Sequence, residues 1–169
     1  CRYELFPIAN IQKLPELLQQ HPDLVGLNVT IPYKQQVLAF LNDSSNLPDT
    51  LQACNCIRIR NGMLEGFNTD AIGFEHSLVP LLQPHHERAL VLGNGGASQA
   101  VMYVLHKLNI PFEVVSRKLH QGSTMTYDEL NFSVMRHHHL IINTTPLGTF
   151  PNVQECPPIP YDSLTEKHL

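Results

Sequence analysis

The 169-residue sequence predicts an α/β protein of two lobes: a small mixed-sheet lobe over 1–83, then a parallel-sheet lobe over 84–169. Three observations carry this. Short apolar runs of strand length alternate with segments of helical period along the chain. Asn61-Gly62 separates two strand-like runs, which marks an antiparallel hairpin in the first half. In the second half the glycine-rich stretch Gly93-Asn94-Gly95-Gly96 separates a strand-like run from a helix-like one.

Taken in order, 14–20 reads as a helix with Pro15 in its first turn, where the missing N–H breaks no bond. The apolar run 24–29 reads as a buried strand, and 33–41 as the next helix. Residues 54–60 and 63–67 form the hairpin around Asn61-Gly62. From Thr69 to about Leu82, the residues Ile72, Phe74, Leu78, Val79 and Leu82 fit one helical face, with Thr69 or Asp70 as cap. Pro84-His85-His86-Glu87 breaks that pattern and places the lobe boundary between residues 82 and 88. The second lobe then reads as strand 89–92, helix 97–108, strand 112–116, a short helix at 127–130 and strand 140–143. Pro157-Pro158-Ile159-Pro160 reads as an extended loop.

Composition narrows the partners. A mixture of 43% apolar and 15% charged residues supports a buried core, and a net charge of −4 argues against nonspecific nucleic-acid or anionic-membrane binding. The longest apolar run is 100–105, far short of the ~20 residues needed to span a bilayer. Residue 1 is Cys and no basic-then-apolar leader follows it, so the expectation is a cytoplasmic protein whose chain extends beyond this sequence. Of the cysteines at 1, 54, 56 and 156, only Cys54 and Cys56 are close, and they lack the two-residue gap of a zinc or redox site; all four read as reduced thiols.

The glycine turn has the strand-before, helix-after context of a Rossmann-like dinucleotide site. Gly93 permits the tight turn, Gly95 lets backbone approach a pyrophosphate, and the helix start supplies N–H groups. Ser98 stands where a third glycine is common. A carboxylate at the tip of the following strand would bond the ribose hydroxyls of NAD, but the tip reads Val115-Ser116-Arg117-Lys118. Its two cations suit a 2′-phosphate, so NADP is the expected cofactor, the alternative being a plain solvated turn.

Polar groups also sit at strand ends in the first lobe: Asn28, Thr30 and Lys34 in Asn28-Val-Thr-Ile-Pro-Tyr-Lys34, Asn55 in Ala53-Cys-Asn-Cys56, and Asp70 in Asn68-Thr-Asp70. Lys34 and Asp70 are a cation and a carboxylate able to work as acid–base groups on a hydroxyl, while amides and a threonine hydroxyl hold a polyol. Singly, each has a structural explanation: an exposed lysine, a helix cap, turn asparagines.

In their order along the chain these motifs resemble the shikimate dehydrogenase family. Asn28-Val-Thr-Ile-Pro-Tyr-Lys34 is similar to its substrate-lobe motif, Ala53-Cys-Asn-Cys56 to its Ala-Val-Asn-Thr segment, and Gly66-Phe-Asn-Thr-Asp70 to its Gly-x-Asn-Thr-Asp segment. Gly93-Asn-Gly-Gly-Ala97 resembles its cofactor loop and Asn143-Thr-Thr-Pro-Leu-Gly148 its turn near the nicotinamide. The resemblance runs from about Tyr3 to Leu169. It implies Lys34 and Asp70 as catalytic pair, Asn55 and Asp70 as substrate contacts, and Asn28 and Thr30 as pocket walls. It further implies Gly93, Gly95, Gly96 and Ala97 at the pyrophosphate, Ser116 and Arg117 at the ribose phosphate, and Thr144 and Gly148 near the nicotinamide. The reaction implied is reduction of 3-dehydroshikimate to shikimate by NADPH.

Cys56 departs from the family's usual Thr, Ser116 from its Asn, and Thr149 from its common Met. The family's Ser-x-Ser clamp is expected before Cys1 and a substrate-binding Gln after Leu169. Two alternatives are a quinate/shikimate-type paralogue using NAD or another cyclic polyol, and a non-catalytic nucleotide-binding regulatory protein, against which the retained Lys34 and Asp70 argue. Small-molecule ligands and a monomer or homodimer are expected. No metal is expected: Arg136-His137-His138-His139 reads as a partly solvated lead-in to a strand, on which three adjacent side chains cannot point one way, and His85-His86 as a solvated hinge.

Overall fold

Residues 2–48, 50–119 and 122–169 are described by a computed structural model. Cys1 lies outside them; Cys54, Cys56 and Cys156 are free thiols. The chain divides into two compact units, 1–69 and 70–169.

In the first unit a 3₁₀ turn, Ile11–Lys13, runs into helix α1, Leu14–Gln20, with Pro15 in its first turn. Three strands follow: β1 Gly26–Asn28, β2 Cys56–Arg60 and β3 Met63–Phe67. They pair antiparallel in the order β1-β2-β3, with Leu27 opposite Ile57 and Ile57 opposite Gly66. One isolated parallel bridge, Asp43 to Glu65, joins the sheet to the preceding loop. The hairpin turn has φ 51° at Asn61 and 75° at Gly62, the two left-handed positions of a turn whose twist matches its strands. Ile11, Leu14, Val37, Leu47, Cys54, Ile57 and Leu64 form the core.

Two expectations for this unit are corrected. The strand in the apolar run 24–29 is only Gly26–Asn28; among the described residues it pairs with β2 alone, and the run is half-buried to exposed, with Val25 facing solvent. An apolar run alone does not guarantee cover on both faces. The stretch 33–41 holds a 3₁₀ helix, Gln36–Phe40, in place of an α-helix.

Helix α2, Thr69–Leu78, continues into a 3₁₀ turn, Val79–Leu81, where Pro80 cannot donate to the ladder. Phe74 and Leu78 pack with Ala89, Val91, Val101, Leu105, Val114 and Leu140 of the second unit's core. That packing explains why the unit boundary falls at the start of α2, just after Thr69, whereas the sequence places a lobe boundary at 83/84. Ile72 and Val79, expected on the buried face, are 54% and 46% exposed. At ~100° per residue, each sits well off the arc through Phe74 and Leu78.

The second unit has a four-stranded parallel sheet in the order β6-β5-β4-β7: β4 Ala89–Leu92, β5 Phe112–Ser116, β6 Met125–Thr126 and β7 Leu140–Asn143. All four β4 residues are buried, as a central parallel strand covered on both faces requires. Helix α3, Gly96–Lys107, gives Val101, Leu105 and their neighbours to one face of the sheet. Leu90, Leu92, Val115, Leu130 and Met135 fill the other. Helix α4, Phe132–His137, was not expected from the sequence; Asn131 caps it by accepting from the Ser133 and Val134 amides.

That helix corrects the reading of 136–139. Arg136 and His137 close α4, while His138 is 7% exposed and its Nδ1 bonds the Val134 carbonyl at 2.8 Å. His86 is likewise no solvated hinge residue: it is 8% exposed and bonded through both ring nitrogens. Among the described residues, no helix is long and apolar enough to cross a membrane.

Candidate functional site

Backbone pairing gathers the first unit's polar residues at one end of its sheet. Asn28 stands opposite Cys56, and the Val29 amide donates to the Asn55 carbonyl at 2.8 Å. The Cys54 amide donates to the Lys34 carbonyl at 2.8 Å, so Lys34 is held beside the same strand start. Asn28 and Thr30 are exposed and Lys34 is half-buried. The Asn28 amide donates to the Tyr3 hydroxyl at 3.3 Å.

Asn55 binds the start of α2. Its Oδ1 accepts from the Thr69 amide at 2.8 Å, and its Nδ2 donates to Thr69 Oγ1 at 3.0 Å. Asn68 donates from Nδ2 to the Ala53 carbonyl at 2.9 Å, fixing the strand-to-helix turn. Asp70, half-buried, follows in the first turn of α2, where a carboxylate is favoured by the helix dipole. Cys54 is fully buried; burial pushes its thiol pKa up, and its S–H donates to the Cys56 carbonyl at 3.3 Å. It is therefore held as a neutral core thiol rather than a nucleophile.

In the second unit β4 lies between β5 and β7, so the chain leaves it first to one side and then to the other. Ligands of doubly wound sheets sit at such a switch point, outside the carboxyl ends of the strands. The glycine turn is there. The Gly93 amide donates to the Val115 carbonyl at 2.8 Å, and Thr144 donates through its amide and Oγ1 to the Leu92 carbonyl at 2.9 and 2.8 Å. Gly93 has φ +103°, and a Cβ there would lie 2.9 Å from Thr145 Cγ2 and 3.0 Å from Thr144 Oγ1. Glycine is required on both counts.

At Gly95 and Gly96 a Cβ would meet nothing within 4 Å, which leaves the backbone at the start of α3 open to close approach. Gly95 is the N-cap and no side chain caps the helix. Ser98, where a third glycine is common, is buried and donates to the Gly95 carbonyl at 2.6 Å, tightening the turn from within. These features fit a pyrophosphate cradle: open backbone N–H groups at a helix start.

One residue past β5, Arg117 and then Lys118 are exposed. Ser116 is buried and its hydroxyl donates to the Lys118 carbonyl at 2.6 Å, shaping the turn that presents both cations. After β7, Asn143 Oδ1 accepts from the Thr145 amide and hydroxyl at 2.9 and 2.6 Å, while its Nδ2 donates to the Leu147 carbonyl at 3.1 Å. Ala97 and Gly148 are exposed, on α3 and on this loop. Asn143 as organiser of the loop and Asn55 as clamp on Thr69 are roles that sequence pattern does not carry, because both partners are set by the fold. Tyr127 lies outside the sequence motifs: its hydroxyl is buried without a hydrogen-bond partner among the described residues, and burial pushes its pKa up against the pull of Arg117.

A parallel sheet with a glycine turn at its switch point, preceded by an antiparallel unit with polar groups at one sheet end, defines an α/β protein whose second unit is Rossmann-type. A family model described as the shikimate dehydrogenase substrate binding domain matches residues 1–57. The NADP(+)-dependent shikimate dehydrogenase of Clostridium beijerinckii is 35% identical over 164 residues, covering 92% of this chain and 60% of that protein. Among solved structures, a chorismate mutase/shikimate 5-dehydrogenase fusion protein from Clostridium acetobutylicum matches with TM-score 0.76 and 32% identity, over 90% of this chain and 58% of that one. The Thermus thermophilus shikimate 5-dehydrogenase in complex with NADP(H) and shikimate matches with TM-score 0.76 and 28% identity, over 95% and 62%. The chain belongs to the shikimate dehydrogenase family. It spans 54–60% of the length of the curated relatives it matches.

Proposed function

We propose that this protein catalyses the reversible, NADP-dependent reduction of 3-dehydroshikimate to shikimate, a step toward the aromatic amino acids. The observation that carries the reading is the meeting of Gly93 with Val115 and Thr144 at the carboxyl ends of the parallel strands, with Arg117 exposed just past β5. The relatives' names and the ordered first-unit motifs support the substrate.

In this reading Gly93, Gly95, Gly96 and Ala97 hold the pyrophosphate, Arg117 pairs with the 2′-phosphate while Ser116 shapes its turn, and Thr144 and Gly148 border the nicotinamide. When bound, the reduced nicotinamide supplies hydride. Lys34 donates a proton to the substrate's carbonyl oxygen and stabilises the charge developing there. Ionised Asp70 accepts a hydrogen bond from a neighbouring hydroxyl, and Asn28, Thr30 and Asn55 hold the ring's other polar groups. The protein acts on small molecules in the cytoplasm, as a monomer or homodimer, with no nucleic-acid or membrane partner.

A substrate and cofactor panel with the full-length protein tests this. Shikimate-dependent reduction of NADP, with NAD and quinate much poorer, is expected. A preference for NAD or quinate overturns the specificity, and turnover with neither substrate overturns the reaction.

A further inference from the structure

One polar atom of the second unit is left over. The Tyr127 hydroxyl is buried without a hydrogen-bond partner among the described residues, whereas a buried tyrosine ordinarily finds one for its O–H. It lies at the carboxyl edge of the parallel sheet. β5 and β6 pair Val115 with Met125 and Ser116 with Thr126, and the residues that follow are Arg117 and Tyr127. We propose that Tyr127 is a positioning residue for the 2′-phosphate of NADP: its hydroxyl accepts an N–H from Arg117 and orients the guanidinium that pairs with the phosphate. The inference rests on the reading of Arg117 given above and adds to it a second determinant of cofactor choice.

The turn holds the phenol in place. Thr126 donates to the Glu129 carboxylate from its amide at 2.6 Å and from its hydroxyl at 2.8 Å, which fixes the backbone of the 3₁₀ turn Tyr127–Glu129. Tyr127 packs against the cluster of Leu90, Leu92, Val115, Leu130 and Met135, and Ile159 packs against the same cluster. The nearby Tyr161 hydroxyl is committed elsewhere, donating to the Pro157 carbonyl at 2.9 Å. Burial holds the Tyr127 pKa above its ordinary value of 10.0, against the opposing charge of Arg117, so the phenol is neutral at physiological pH. It meets a guanidinium N–H through an oxygen lone pair, as a hydrogen-bond acceptor and not as a counter-ion.

An unpartnered buried hydroxyl destabilises the free protein. Phenylalanine fills the same space without the desolvation penalty of the O–H, so the oxygen needs an explanation outside the free state. A bound state that supplies the missing partner is such an explanation. Arg117 can supply it. The residue is exposed, and a guanidinium presents five N–H donors in a rigid fork, of which a phosphate takes two in a bidentate pair. Because the fork is rigid, holding one remaining N–H on Tyr127 sets the plane in which the other two meet the phosphate. NADH has a neutral hydroxyl in place of that phosphate, so orienting the guanidinium does little for it.

Tyr127→Phe in the full-length protein, which removes one oxygen, tests the inference through two readouts that do not depend on turnover. Without cofactor its unfolding temperature should equal or exceed that of the wild type. In fluorescence titrations its dissociation constant for NADPH should rise roughly threefold to tenfold, while that for NADH stays within about twofold. In Arg117→Ala, where the guanidinium is gone, adding Tyr127→Phe should weaken NADPH no further. A lower unfolding temperature for Tyr127→Phe would show a hydroxyl already partnered in the free protein and overturn the proposal. Equal effects on the two cofactors, no effect on either, or additive losses with Arg117→Ala would overturn it as well. If Arg117→Ala itself fails to weaken NADPH selectively, the reading of Arg117 falls and this inference with it. A selective Arg117→Ala beside a neutral Tyr127→Phe overturns the inference alone.

Discussion

Asn55 and Thr69 grip one another across the turn between the hairpin and α2, the Asn55 amide accepting from the Thr69 N–H at 2.8 Å and donating to its hydroxyl at 3.0 Å. A residue read by motif as a substrate contact is thereby also the N-terminal clamp of a helix, and the position of the next residue, Asp70, depends on it.

Asn55→Ala removes that clamp. The loss of a helix N-terminal acceptor is expected to cost about 0.5–2 kcal/mol, read as a lower midpoint of urea unfolding with an unchanged slope. Asn55→Asp keeps the Oδ1 acceptor for the Thr69 amide and should recover most of the loss. Equal effects of the two substitutions would place the role of Asn55 elsewhere.

Gly93→Ala combines a φ of +103° with a methyl group 2.9 Å from Thr145 Cγ2. Strain at such a position is of order 1–3 kcal/mol, and the turn it distorts is the one proposed for the pyrophosphate. We expect lower thermal stability together with loss of NADPH binding by fluorescence titration. Wild-type affinity in a folded Gly93→Ala protein would remove the turn from the cofactor site.

Arg117→Ala should leave stability nearly unchanged, because the side chain is exposed. If it pairs with the 2′-phosphate, the dissociation constant for NADPH rises by the equivalent of about 1.5–3 kcal/mol while that for NADH barely moves. Parallel titrations of the two cofactors decide it, and equal weakening of both would argue for a general role in the turn.

Where local chemistry dominates, sequence and structure agree. Asn61-Gly62 specifies the hairpin, because two consecutive left-handed residues admit few other turns. The apolar run of β4 followed by glycines and a periodic segment specifies the strand, turn and α3. Agreement ends where tertiary cover decides. The run 24–29 has the composition of a buried strand yet is half-buried to exposed, and Ile72 has the polarity of a core residue yet faces outward. Helix α4 is six residues long and buries one side chain, Met135, too little for a periodic signal; Asn131 announces it only once its bonds are seen. Polar side chains follow the same division. That Ser116 bonds the Lys118 carbonyl and His86 the Lys167 carbonyl depends on chain reversals that no spacing rule encodes.

The proposed reaction stands or falls on the initial rate of shikimate-dependent NADP reduction, measured for the full-length protein and its Lys34→Ala variant side by side. The wild-type protein should turn over, and the variant should lose roughly 10²–10⁴ in kcat with a much smaller change in KM, as removal of a positioned proton donor requires. A wild-type protein with no shikimate-dependent reduction, or a Lys34→Ala protein with near-normal kcat, would contradict it.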